Sequence, residues 1–287
     1  MTTPAEVSAT GVSPFEEIPE QDEPKRLLTA ALREGPAHAY LFHGPPGVGK
    51  RSLATAFAGS LLGDHDRVER GSHPDLYVLE PLGDQIRIDA IRELRRDLHM
   101  RPFEGSRRVY LVFGADVLND DAADALLKDL EEPPAYAVIV LVADEIGSLP
   151  ATLRSRCQLV PFRRLSHRSI ERLILDGRPG LPAAAAAAAA RVAGGRLDRA
   201  LRLLNDAAAS RRGELIELAR SAYRDETFDP GAAARSVVTV ASEAGAAARE
   251  EAEKVEDDRE TAREREQRAK RVGRGVEREE LLEALDL

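Results

Sequence analysis

Residues 39–50 read Ala39-Tyr40-Leu41-Phe42-His43-Gly44-Pro45-Pro46-Gly47-Val48-Gly49-Lys50, a short apolar run that breaks into a glycine-rich turn. The last seven residues match G-x-x-x-x-G-K, with a strand pattern before them and a helical pattern over 52–62 after them, the context a phosphate-binding loop requires. Glycines 44, 47 and 49 let backbone N–H groups turn inward around an anion, and the start of the next helix adds positive potential. Lys50 is the side chain expected on terminal phosphates. Gly44, Gly47, Gly49 and Lys50 are therefore the candidate nucleotide-binding set, a degenerate phosphate loop whose hold on ATP or phosphate is expected to be weak.

Outward from this stretch, a helix opening at Pro24 stops at Gly35-Pro36. Strand-like runs follow at 76–79, 109–113, 138–143 and 158–162. Helical patterns at 88–100 and 122–130 lie between them, the second ended by Pro133-Pro134. Strands alternating with helices of this length imply an α/β domain whose parallel sheet is covered on both faces, spanning residues 22–165. Residues 166–209 carry three short helical patterns, a small helical lid. Its middle helix holds the alanines of 183–190, strong helix formers read as packed filler. Residues 210–287 read as an all-helical C-terminal collar. The dense alternation of Glu and Arg from Arg249 to Glu280 has the composition of a solvated helix with i,i+4 pairs. Residues 1–21 are expected to be a disordered tail. The chain stops at Leu287 within an amphipathic pattern, so a short closing helix is expected.

Composition narrows the function classes. The chain has 287 residues, 43% of them hydrophobic and 4% aromatic, and a formal net charge of -9. That balance disfavours a surface that grips nucleic acid throughout, because phosphate neutralisation needs clustered Lys and Arg. A single cysteine, Cys157, excludes a disulfide framework and a Cys-based metal site, and it reads as a small buried apolar residue. With no basic and apolar leader over residues 1–14 and no run of roughly 18 apolar residues, a cytoplasmic chain without membrane contact is expected.

The phosphate loop lacks what hydrolysis needs. The position after Lys50 should offer a hydroxyl to Mg²⁺, but it is Arg51, and Ser52 falls about 100° further round the helix. A carboxylate is required at the tip of a second apolar strand, with a water-polarising Glu beside it. Those positions hold Phe113 and Gly114, while Asp116 reads as a turn residue. The polar residue expected to sense the γ-phosphate at the end of the next strand is Ala143. No metal is expected, no cofactor is required, and hydrolysis by this chain is not expected.

Thr152-Leu153-Arg154-Ser155-Arg156-Cys157 follows the last helix of the sheet domain. An isolated arginine is ordinarily a surface salt bridge. Beside a dead site, Arg156 gains another reading, an arginine finger offered in trans to a neighbour's ATP.

With these residues stated, the sequence resembles the clamp-loader branch of the AAA+ superfamily, and within it the delta-prime family, which typically degrades its ATPase motifs. The resemblance rests on residues 38–44, on His73-Pro74-Asp75-Leu76, on Ala125-Leu126-Leu127-Lys128-Asp129-Leu130-Glu131-Glu132-Pro133-Pro134 and on Ser155-Arg156-Cys157, over roughly residues 15–205. It implies a RecA-like domain, a lid and a collar in a hetero-pentameric ring with motor (gamma/tau) and delta subunits. It also implies a stator role in loading the sliding clamp onto primed DNA, and a finger role for Arg156. Many relatives carry a four-cysteine zinc module, but residues 63–72 contain no cysteine, so zinc is not expected. His65, His73, Asp64 and Asp66 are spaced too loosely for a metal site and read as solvated loop. Lys128 reads as a helix-surface residue and Arg199 as structural, with Asp198 in the register of a second phosphate sensor. The rival readings are an active motor subunit with divergent motifs and a DNA-binding AAA+ protein of recombination or repair. The acidic balance counts against the latter.

Overall fold

The structure, a computed structural model, describes residues 14–81, 85–225, 227–254 and 262–285. Five parallel strands form one sheet: β1 (Ala39–His43), β2 (Leu76–Leu79), β3 (Arg108–Phe113), β4 (Ala137–Ala143) and β5 (Gln158–Pro161). Their order is β2-β3-β4-β1-β5, with Leu41 in register with Leu141 on one side and Leu159 on the other. Every residue of β3 and β4 is buried, as expected of central parallel strands covered on both faces. Period-two alternation sorts their side chains into two layers. Phe42, Leu111, Phe113, Val140 and Val142 join one core with residues of α2 (Lys50–Leu62), including Leu53 and Phe57. Leu41, Tyr110, Val112, Ile139 and Leu141 join the other, packed on α4 (defined below) and its neighbour.

Around the sheet lie α1 (Asp22–Glu34), α3 (His65–Glu69), α4 (Ile88–Leu98), α5 (Asp120–Glu131) and the one-turn α6 (Ala151–Arg154). The lid consists of α7 (His167–Gly177), α8 (Ala183–Val192) and α9 (Leu197–Leu203). Ile170, Ile174, Ala186, Ala190 and Ala200 extend the first core into it, so the alanine run does serve as packing. The α/β sheet domain, the helical lid and the helical C-terminal region follow one another as expected.

Three sequence expectations need correction. The segment just before α1 is not part of a tail: Phe15 is 0% exposed and Ile18 7%, and both belong to the first core. An isolated aromatic among polar residues has no periodicity to announce it. Residues 1–13, the rest of the expected tail, lie outside the described residues. Residues 63–72 are not simply a solvated loop. Asp64 caps α3, accepting from Arg67 N–H at 2.9 Å, and His73, just beyond, is buried with its Nδ1 accepting from Asp75 N–H at 3.1 Å. Finally, the Glu/Arg run is divided between two helices of the C-terminal region, which comprises α10 (Asp206–Arg224), α11 (Pro230–Lys254) and α12 (Ala262–Leu285). Residues 255–261 of the run lie outside the described residues. α11 and α12 pack antiparallel: a Cβ added at Gly245 would lie 2.8 Å from Gly273 O, and one at Gly273 would lie 2.7 Å from Gly245 O. Two glycines at one crossing let the backbones meet. Among the described residues no helix is long and apolar enough to cross a membrane.

Candidate functional site

The strand order brings the carboxyl ends of β1, β3 and β4 side by side, and the loops leaving them share one cleft. The loop after β1 is the glycine-rich turn. Gly44, Gly47 and Gly49 have φ of 140°, 68° and 97°, values that side chains with a Cβ rarely adopt. The cleft, about 450 Å³, is lined by Gly47, Lys50, Arg51, Asp116, Asp144 and Asp198 among others. Three of these are acidic.

Lys50 is only 5% exposed. Its ammonium donates to Gly44 O at 2.6 Å and Pro45 O at 2.6 Å, and it pairs with Asp144 Oδ1 at 2.7 Å. An ammonium has three N–H donors, so this set satisfies it. Asp144 is the site residue that sequence reasoning missed. It follows Ala143 directly, and the end-of-strand position was read as Ala143 alone. The polar group that meets the loop comes one residue later. Asp116, read as a turn residue, sits in a 3-10 turn over Ala115–Val117 and faces the same cleft. Its Oδ1 accepts from Asp144 N–H at 3.3 Å, and burial raises its carboxyl above the usual range. His43, at the end of β1, is pushed down by burial and by the neighbouring Lys50 charge.

Arg51 turns away from the loop. Its guanidinium lies 3.7 Å above the Phe113 ring centroid and pairs with Glu80 at 2.5 Å. Arg51 and Phe113, each at a position that should handle a metal ion, therefore lean on each other as a cation–π pair. The departures from the ATPase pattern are coupled in space, not independent. Ser52, one step round the helix, is exposed. The residues of this cleft do not fit a magnesium–nucleotide complex: no hydroxyl follows Lys50, and an aromatic ring stands at a metal-binding carboxylate position.

The lid closes on the loop from above. Leu197 N–H donates to Gly47 O at 3.0 Å, and a Cβ added at Gly47 would collide with Asp198 Oδ1. Asp198 is held by Arg196, Nη2 to Oδ2 at 2.7 Å. Burial alone would raise its carboxyl, but the Arg196 hydrogen bond and charge outweigh burial and hold it low. The register argument that placed Asp198 rather than Arg199 over the site agrees with this geometry.

Arg156 stands away from the cleft, beyond α6. Its side chain is 31% exposed and pairs with Glu131, the last residue of α5, while Nη1 donates to Thr152 O at 2.7 Å. Lys128 is exposed on α5. Cys157 is half-buried, and burial pushes its thiol up to about 12. The structure does not bring Arg156 to the chain's own phosphate loop.

The motif His73-Pro74-Asp75 has a structural explanation. Asp75 is 0% exposed and accepts from the backbone N–H groups of Phe103, Glu104 and Gly105 at 2.6, 2.9 and 3.1 Å. Burial alone would raise its carboxyl, but these three donors and the nearby Arg108 hold it below the usual range.

Comparison with known proteins places this geometry. The model of the family described as DNA polymerase III, delta subunit, matches residues 20–166. The chain is 33% identical over 164 residues to DNA polymerase III subunit delta' of Bacillus subtilis, covering 53% of this chain and 50% of that protein. It is 38% identical over 136 residues to the subunit delta' of Pseudomonas aeruginosa, covering 42% of each. It is 32% identical over 170 residues to subunit tau of Bacillus subtilis, covering 54% of this chain and 30% of that one. The chain thus spans half or less of the length of these curated relatives.

Proposed function

The chain belongs to the DNA polymerase III delta subunit family, and from that premise we propose that it is a delta-prime-type, non-hydrolysing stator of a clamp loader. In this role it sits with motor (gamma/tau) and delta subunits in a five-membered ring that loads the sliding clamp onto primed DNA. It contributes no turnover of its own. Its part in hydrolysis is Arg156, whose guanidinium stabilises charge on the γ-phosphoryl group held by an adjacent motor subunit.

The observation that carries this reading is the contrast between two arginines. Arg51 has taken the place of a metal-binding hydroxyl and is folded onto Phe113, which removes the local means of hydrolysis. Arg156 lies outside the cleft on a partly exposed edge, held by a surface ion pair, a contact worth at most about 1 kcal/mol and readily exchanged for a phosphate. The similarity to subunit tau does not favour the motor reading, because the residues that would hold Mg²⁺ are absent here.

Assembly tests the proposal. Mixed with purified motor and delta subunits, the chain is expected to elute with them as a single species containing one copy of itself. Elution of the chain on its own, with the other subunits assembling without it, would remove the stator reading.

A further inference from the structure

The phosphate loop is intact in backbone and yet has no free charge to offer. Lys50 could meet a phosphate only by leaving Gly44 O, Pro45 O and Asp144. The carboxylate of Asp144 lies on the one Lys50 contact that does not belong to the loop itself, the contact through which the loop lysine of this motif meets an anion. Asp116 stands behind Asp144, and Asp198 reaches in from the lid. A polyphosphate entering this cleft would meet three carboxylates, each a like charge at short range in a poorly solvated setting.

We infer that the chain occupies its own nucleotide cradle: Asp144 takes the place of a phosphate on Lys50, and Asp198 covers Gly47, so that nucleotide is excluded and the lid is held against the loop without one. The inference rests on the reading of the chain as non-hydrolysing and deepens it, turning a site that lacks a metal into a site that is closed.

The lid contacts support the second half independently. Leu197 N–H is bonded to Gly47 O. On the other side of the loop, Gln21 Nε2 donates to Val48 O at 3.3 Å and to Arg163 O at 2.7 Å, and Gln21 Oε1 accepts from Arg163 N–H at 3.0 Å. Glu20 accepts from Ser166 N–H at 3.1 Å and from the Ser169 hydroxyl at 2.5 Å, at the start of α7. Glu20 and Gln21 hold φ of 53° and 56°, a left-handed pair that non-glycine residues adopt at some cost when surrounding contacts fix them. The segment before α1 therefore ties the loop to the entry of the lid, and Asp198 ties the loop to α9. In an active P-loop enzyme a bound nucleotide can bridge these parts. Here the chain bridges them itself.

Calorimetric titration of the full chain with ADP, with and without Mg²⁺, tests the inference. The wild type is expected to bind more weakly than about 1 mM, and Asp144→Asn/Asp198→Ala to bind about 10-fold tighter or more, since two like charges are gone. Adding Lys50→Ala to the double variant is expected to abolish the gain. Should the double variant lose its helical circular dichroism, Asp144→Asn alone, which keeps shape and removes only charge, decides the matter in the same direction. Wild-type binding in the micromolar range, a variant no tighter than wild type, or tight binding that survives Lys50→Ala would each overturn the inference. None of these results bears on Arg156, whose role is read from the neighbour's hydrolysis, so failure here is distinguishable from failure of the proposed function.

Discussion

In a complex assembled with motor and delta subunits, Arg156→Ala is expected to slow hydrolysis roughly 10³-fold or more at the one ATP site this chain serves. That is about 4 kcal/mol of transition-state stabilisation. The other motor sites keep their own fingers, so the loss appears in a quenched-flow experiment as a phosphate burst short by one site. The variant should fold normally. Arg156 is held only by Glu131 and Thr152 O on an exposed edge, contacts worth at most about 1 kcal/mol to stability. Arg156→Lys keeps the charge but loses the planar fork of donors, and should recover only part of the rate. A burst of full amplitude with Arg156→Ala would mean that some other group serves that site.

The second large effect concerns stability. Asp75→Ala is expected to cost about 3 kcal/mol or more, read as a lower urea midpoint for the sheet domain. It removes a buried carboxylate and leaves the N–H groups of Phe103, Glu104 and Gly105 without their acceptor. Asp75→Asn should fall between the two, because an amide offers one acceptor oxygen where the carboxylate offers two. The pH dependence has a definite sign. The folded carboxyl is held below its unfolded value, so its contribution is complete above roughly pH 4 and is lost as pH falls through the depressed folded value. Between pH 5 and 8 the gap between wild type and Asp75→Ala should stay constant. A gap that opens or closes in that window would assign the effect to another group.

These two residues also show what the sequence makes legible and what it does not. The sheet was legible because β3 and β4 are continuous apolar runs, and the loop because its glycines and Lys50 are contiguous. Local patterns need no knowledge of partners. Asp75, by contrast, could be seen only as part of a motif, since its acceptor role depends on a loop reached across the first strands of the fold. Asp144 was missed for the same reason: an Asp just past a strand has the look of a turn residue until Lys50 is seen beside it. Phe15 was hidden by its polar surroundings, although it is as buried as Leu53. The substitutions at 51 and 113 were legible singly, but their stacking was not. Arg156 was found in the sequence by its triplet, and its partner Glu131 lies in the other quoted motif; the ion pair that joins the two belongs to the fold alone.

The most direct measurement is phosphate release from ATP by the purified chain in millimolar Mg²⁺. With Arg51 and Phe113 where a hydroxyl and a carboxylate should be, the rate is expected to equal that of buffer and to be unchanged by Lys50→Ala. Magnesium-dependent release above that background, abolished by Lys50→Ala, would show a working motor in this chain and contradict a silent site.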